Sequence, residues 1–168
     1  MKNRIKKIKV LAMDVDGVLT DGKIIYDKEG QAIKIFDVKD GYGLILLHEA
    51  GLKTALISAK AAKPVTRRAK DMKITKVYQN AYPKMHAYKR MLKDLKVKDS
   101  QVCFVGDDLP DIPILKRAGF SIAVKNAVSE VKKEADYVTK KCSGNGAVRE
   151  IVELILQTQG KWKKVLPK

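Results

Sequence analysis

Val10-Leu11-Ala12-Met13 and Val102-Cys103-Phe104-Val105 are short, unbroken apolar runs, and both end in acid. Asp14-Val15-Asp16-Gly17 follows the first and Gly106-Asp107-Asp108 the second. A run that is apolar at every position, not at alternate ones, fits a strand covered on both faces, as in a parallel sheet. Parallel strands point their carboxyl ends to one rim, which is where open α/β sheets keep their chemistry. Like charges gathered there repel one another unless a cation or a reacting group lies between them. Asp-x-Asp-Gly is also an ordinary turn at a strand end. The second cluster, with Asp111 close behind it, tips the reading towards a site.

The rest of the chain alternates strand and helix patterns. Lys23 to Tyr26 and Ala32 to Phe36, joined by Asp27-Lys28-Glu29-Gly30, read as a hairpin. Asp40 is expected to cap a helix carrying Leu44, Leu46 and Leu47 that stops at Gly51. A strand at 54–57, a helix at 64–72, a short strand at Val77-Tyr78 and a helix at 84–95 precede the acidic strand. A helix ending near Gly119, a strand at 121–124, a helix at 128–135 and an edge strand at Tyr137-Val138 follow it. The last helix, 147–157, carries Val148, Ile151, Val152, Leu154 and Ile155 at helical spacing. The expectation is an α/β fold: a doubly wound, Rossmann-like, mainly parallel sheet with helices on both faces and a protruding β-hairpin at about 23–36. Residues 1–160 form one domain on this reading, and 161–168 a basic tail.

Composition narrows the class of protein. A chain of 168 residues that is 45% hydrophobic suffices for one core. No apolar run approaches the length of a membrane span, so no membrane partner is expected. The basic start, Met1 to Lys7, leads into a strand without the apolar segment of a signal peptide, which points to the cytoplasm. Cys103 and Cys142 suggest neither a disulfide nor a zinc site. The net charge of +16 invites a nucleic-acid reading. Against it, the lysines are spread over nearly every helix and loop, with one Trp and no arginine-rich tract. Such a surface suits solubility or heat adaptation, and it draws in an anionic substrate.

Between the acidic clusters, Thr54-Ala55-Leu56-Ile57-Ser58 ends a strand in a hydroxyl, and Tyr82-Pro83-Lys84 opens a helix with a lysine. Acid pair, hydroxyl, lysine, acid pair: in that order the chain resembles the haloacid dehalogenase superfamily of phosphotransferases. The resemblance implies that Asp14 is the nucleophile and a metal ligand, and that Asp16 is the general acid and base, with its backbone carbonyl as a second ligand. Asp107 would be the remaining metal ligand. Asp108 would orient metal waters or the lysine from beside it. Ser58 would donate a hydrogen bond to a phosphoryl oxygen, and Lys84 would supply a point charge to the same group and to Asp14. Asp111 either joins Asp108 in that supporting role or caps the next helix, with Pro113 in its first turn. The implied cofactor is Mg²⁺, a hard cation that bridges carboxylate and phosphate and offsets their repulsion.

Gly17 to Ile57 are used up by a hairpin and one helix, which leaves no room for a cap domain. Together with the lengths and with Asp14-Val15-Asp16-Gly17-Val18-Leu19-Thr20-Asp21-Gly22 and Gly144-Asn145-Gly146-Ala147-Val148-Arg149-Glu150, the chain most resembles the capless 3-deoxy-D-manno-octulosonate 8-phosphate phosphatases. The resemblance implies hydrolysis of a small anionic 2-keto sugar acid phosphate. It also implies a homotetramer whose hairpins meet, with residues near Tyr26 and Ile33 to Phe36 at the interface. Trp162, Val165 and Leu166 either anchor the tail at a neighbouring subunit or belong to a mobile terminus. Lys140 to Gly146 is either a moving loop near the site or a plain helix start. The pattern departs at substrate recognition: Ala59-Lys60 stands where Gly-Arg is usual, so Lys60 keeps the charge without the planar fork. Arg68 is then the candidate for the substrate carboxylate. A nine-carbon, sialic-acid-type 9-phosphate is an alternative substrate, and a nucleic-acid end or a phosphoprotein a more distant one.

Overall fold

In the computed structural model, which describes residues 1–166, the elements follow in the order α1 (Lys2–Ile5), β1 (Val10–Met13), β2 (Ile25–Tyr26), β3 (Ala32–Ile33), α2 (Val38–Glu49), β4 (Lys53–Ile57), α3 (Lys63–Asp71), β5 (Lys76–Tyr78), α4 (Lys84–Leu95), β6 (Val102–Gly106), α5 (Ile112–Leu115), β7 (Phe120–Ala123), α6 (Ser129–Glu134), β8 (Tyr137–Val138) and α7 (Ala147–Thr158). The apolar run β1 is fully buried because it is the middle of the sheet, with β4 and β6 parallel on its two sides. Met13 lies level with Leu56 on one side and Val105 on the other. The sheet order is β5-β4-β1-β6-β7-β8, with every pair parallel.

The chain winds from β1 out to β5 and then returns to place β6 against β1. The winding therefore reverses between these two strands, and a crevice opens at their carboxyl ends. Helices α2 and α7 pack on each other, as do α4 with α5 and α5 with α6. Leu44 and Leu47 from α2, Ile151 and Ile155 from α7, and Tyr88 and Met91 from α4 enclose the strands.

Four local features differ from the sequence reading. Asp37, not Asp40, caps α2, its carboxylate accepting from the Lys39 and Asp40 N–H groups. Asp40 lies buried one turn on and caps a different helix, accepting from the Gly146 and Arg149 N–H groups at the start of α7 (3.3 and 2.7 Å). The hairpin ladder is only two residue pairs, Ile25 with Ile33 and Tyr26 with Ala32. A helical turn, α1, precedes the sheet. It buries Ile5 and forks Arg4 onto Asp136 at 2.6 and 2.8 Å, an anchor that a run of basic residues with no apolar periodicity does not announce.

The carboxyl-terminal segment packs on its own chain as far as it is described. Trp162 and Val165 lie against the core, and the Arg149 guanidinium sits 5.3 Å from the Trp162 ring. Pro167 and Lys168 lie outside the described residues. The loop expected to be either mobile or a helix start is tied down, since Glu150 accepts from the Lys140 and Lys141 N–H groups and Asn126 bonds Ser143 twice.

Candidate active site

Asp14 stands one residue beyond β1, its N–H donating to the Val105 carbonyl at 3.1 Å, so the strand register fixes where the carboxylate emerges. The Val15 carbonyl accepts from Val18, Leu19 and Thr20, and the Thr20 hydroxyl accepts from Gly17 and Gly22. This closed turn holds Asp16 at the rim. Gly17 has φ +86°, and a Cβ there would lie 2.0 Å from Asp107 Oδ2. The two acidic loops approach this closely only because position 17 has no side chain. Gly106 serves the other loop in the same way: its missing Cβ leaves room for Asp111, whose own Cβ would be 2.5 Å away.

Lys84, at the first position of α4, is buried and projects between two carboxylates. Its Nζ lies 2.7 Å from Asp14 Oδ2 and 2.7 Å from Asp111 Oδ1. Asp111 Oδ2 accepts the N–H groups of Asp107 and Asp108 at 3.0 and 3.4 Å. Asp111 makes no side-chain bond to its own following helix, so of its two readings the supporting one is what the fold builds. Of the two supports expected of Asp108, to metal waters or to the lysine, it does not make the bond to the lysine. Exposed at the rim, it accepts from the Leu109 N–H at 2.8 Å and leaves the lysine to Asp111, which the turn after β6 carries beneath it.

The charges are in tension. Burial pushes the Asp14 carboxyl up to about 6, with Lys84 pulling against it and Asp111 adding to the rise. Asp107 is pushed up to about 7 by burial and by the carboxylates of Asp14 and Asp111. Burial works against the charge of Lys84, but Asp14 and Asp111 outweigh it and hold the ammonium above the usual lysine range. Asp14, Asp107 and Asp111 each offer an oxygen within 4.8 Å of the others. Asp107 Oδ1 is buried without a hydrogen-bond partner. A hard divalent cation fits this arrangement, since it would satisfy the orphaned oxygen and relieve the repulsion that raises both carboxyls. Both side-chain oxygens of Asp111 are engaged, and so are those of Asp14, whose Oδ1 accepts from the Val15 N–H at 2.7 Å and whose Oδ2 meets Lys84, so the unpartnered oxygen of the three carboxylates belongs to Asp107.

A cavity of about 280 Å³ opens over these groups. Ser58, Lys60 and Asp108 line it with Asp14, Asp16, Lys84 and Asp107. Ser58 is buried at the end of β4, its hydroxyl donating to the Lys60 carbonyl at 3.0 Å. Lys60 is exposed at the mouth. Arg68 is not there. Its guanidinium donates to the Asp37 carbonyl at 3.2 Å and lies 5.9 Å from the Phe36 ring, because α3 turns that face towards the start of α2. One residue at the rim goes unannounced in the sequence: Lys34, just past β3, donates its Nζ to Asp16 Oδ1. It is one lysine among many, and only the fold of the hairpin against the rim singles it out.

The arrangement has the parts of a phosphoryl-transfer site: a buried carboxylate held beside an ammonium, a second carboxylate two residues on, a hydroxyl at a neighbouring strand end and an acidic cation site. Residues 54–151 match the haloacid dehalogenase-like hydrolases. The chain is 39% identical to 3-deoxy-D-manno-octulosonate 8-phosphate phosphatase KdsC of Escherichia coli K12, over 94% of this chain and 84% of that one. The corresponding phosphatase of Moraxella catarrhalis, solved with magnesium, phosphate and KDO, is 42% identical and superposes with a TM-score of 0.94, covering 97% of this chain and 94% of that one. The cobalt-bound enzyme of Haemophilus influenzae is 38% identical with a TM-score of 0.91, covering 94% and 92%. This chain belongs to the haloacid dehalogenase-like hydrolases, among the 3-deoxy-D-manno-octulosonate 8-phosphate phosphatases.

Proposed function

We propose that the cavity hydrolyses the phosphate monoester of a 2-keto sugar acid, 3-deoxy-D-manno-octulosonate 8-phosphate, in a magnesium-dependent reaction. The observation that carries this is the Lys84 ammonium held between Asp14 and Asp111, with the unpartnered Asp107 oxygen in the same acidic cluster. The phosphatases of Escherichia coli K12 and Moraxella catarrhalis, to which this chain is similar, are named for that substrate. Asp14 attacks phosphorus and the bond to the sugar oxygen breaks as Asp16 protonates the leaving alkoxide. Water, deprotonated by Asp16, then releases phosphate from Asp14. Lys84 and the Ser58 hydroxyl take up charge on the phosphoryl oxygens, and Lys60 meets the substrate at the mouth. Magnesium, held by Asp14, Asp107 and the Asp16 carbonyl, would supply the charge that lets an anion attack a dianion.

The same proposal includes assembly and location. The hairpin exposes Ile24, Ile25, Tyr26, Ile33 and Ile35, and a two-pair ribbon is marginal alone. A homotetramer joined through the hairpins would cover this apolar surface. Cys103 and Cys142 are both free, which suits the reducing cytoplasm. The test is phosphate release with and without magnesium from three substrates: the eight-carbon keto acid phosphate, a nine-carbon 9-phosphate and an oligonucleotide 3'-phosphate. Turnover of the eight-carbon ester well above the others is expected, and it should disappear in Asp14→Asn. Preference for the oligonucleotide would overturn the reading.

A further inference from the structure

Asp16 has to give up a proton to the leaving oxygen and later take one from water, yet its side chain is 39% exposed and no helix or strand holds it. A half-exposed carboxylate rotates freely unless something fixes one of its oxygens, and proton transfer needs the acid within hydrogen-bond reach of the reacting atom. The only side chain bonded to it among the described residues is Lys34. The lysine is itself 13% exposed, its stem covered where the hairpin folds back against the rim. No other carboxylate competes for its ammonium among the ion pairs of the described residues.

We infer that Lys34 is a positioning residue for the general acid. Its ammonium grips Asp16 Oδ1 and leaves Oδ2 to face the cavity. This role rests on the proposed phosphatase reaction and deepens it. In the first step a bond forms between Asp14 and phosphorus, and the bond from phosphorus to the sugar oxygen breaks. The proton on Asp16 Oδ2 moves to that oxygen, and the carboxylate left behind is already paired with Lys34. In the second step the same carboxylate accepts a proton from the attacking water. The fold thus obtains from a lysine on its hairpin the control of the acid that it lacks a cap domain to provide. Lys34 touches neither phosphorus nor the leaving oxygen on this reading.

The test uses leaving groups. A sugar alkoxide needs a proton to depart, whereas p-nitrophenolate does not, so a fault in placing the acid falls on one and spares the other. Lys34→Met keeps the stem without the charge, and Lys34→Arg keeps a cation. With magnesium present, kcat/KM would be measured for three esters: the keto sugar acid phosphate, a neutral-sugar phosphate and p-nitrophenyl phosphate. Lys34→Met should lower kcat/KM on both sugar esters by roughly 10- to 100-fold, a part of what acid catalysis supplies. It should change p-nitrophenyl phosphate by less than about threefold, and Lys34→Arg should recover most of the loss. An equal fall on all three esters, or no fall on any, overturns the inference. So does a fall confined to the keto acid ester, which would make Lys34 a contact for the substrate carboxylate. Failure of the parent enzyme on every sugar ester would instead sink the phosphatase reading itself.

Discussion

A buried carboxylate whose proton affinity is raised by its neighbours is a group waiting for a cation, and Asp107 at about 7 beside Asp14 at about 6 is the clearest case in this chain. Without metal, the folded state holds protons on these groups more tightly than the unfolded chain does. Their contribution to stability is therefore full below about pH 4 and is lost as pH rises through 6 to 7. Magnesium restores what is lost at the upper end, where protons no longer compete for the same oxygens. Calorimetry should show a larger magnesium-induced rise in Tm at pH 8 than at pH 6, and Asp107→Asn should reduce the rise at both. A rise independent of pH would mean the ion binds elsewhere. Lys60, exposed at the mouth, tests recognition separately: Lys60→Ala should raise KM more than it lowers kcat. Unchanged kinetics would remove it from the substrate site. That Asp14, Asp16, Ser58, Lys84 and Asp107 come together at one cavity was legible in the sequence, since each follows an apolar run or opens a helix. The placements of Arg68 and Lys34 were not legible, because they depend on which way α3 and the hairpin face.

Helices α2 and α7 are joined by a device that runs across the sequence. Asp40, 1% exposed in the first turn of α2, supplies the acceptor for the first N–H groups of α7. An Asp shortly before a helical pattern reads as the cap of its own helix, and only the packing of α2 on α7 assigns it to the other. Burial pushes its carboxyl up to about 6, against the pull of the Arg149 N–H. The folded state therefore favours the neutral acid, and this contribution fades as pH rises from about 4 to 6. Asp40→Asn keeps an acceptor and removes the titration. Relative to the parent, the variant should gain stability between pH 4.5 and pH 7, by about 2 kcal/mol on a shift of this size. Urea denaturation at the two pH values measures the difference. An identical offset at both would show that Asp40 titrates normally. Asp40→Ala, which leaves N–H groups at the start of α7 without a partner, should lower stability at every pH by about 1–2 kcal/mol.

At the scale of the molecule, the open question is how a phosphatase without a cap closes its mouth, and the exposed hairpin is the surface available for the purpose. If hairpins join in a tetramer, Tyr26→Lys with Ile33→Lys should yield single chains by light scattering where the parent gives four chain masses. The sheet of these single chains should keep its far-UV signature, since among the described residues β2 and β3 pair only with each other. A parent that is already monomeric would end the tetramer proposal. The sequence by itself determined the parallel sheet and the acidic rim, because a strand buried on both faces must be apolar throughout and its first polar residues must fall at its end. The tertiary structure alone decided that Lys34 meets Asp16 and that Lys84 meets Asp111 as well as Asp14. Thirty-five basic side chains look alike along the chain, and an ammonium becomes specific only where folding removes water and leaves it one or two partners.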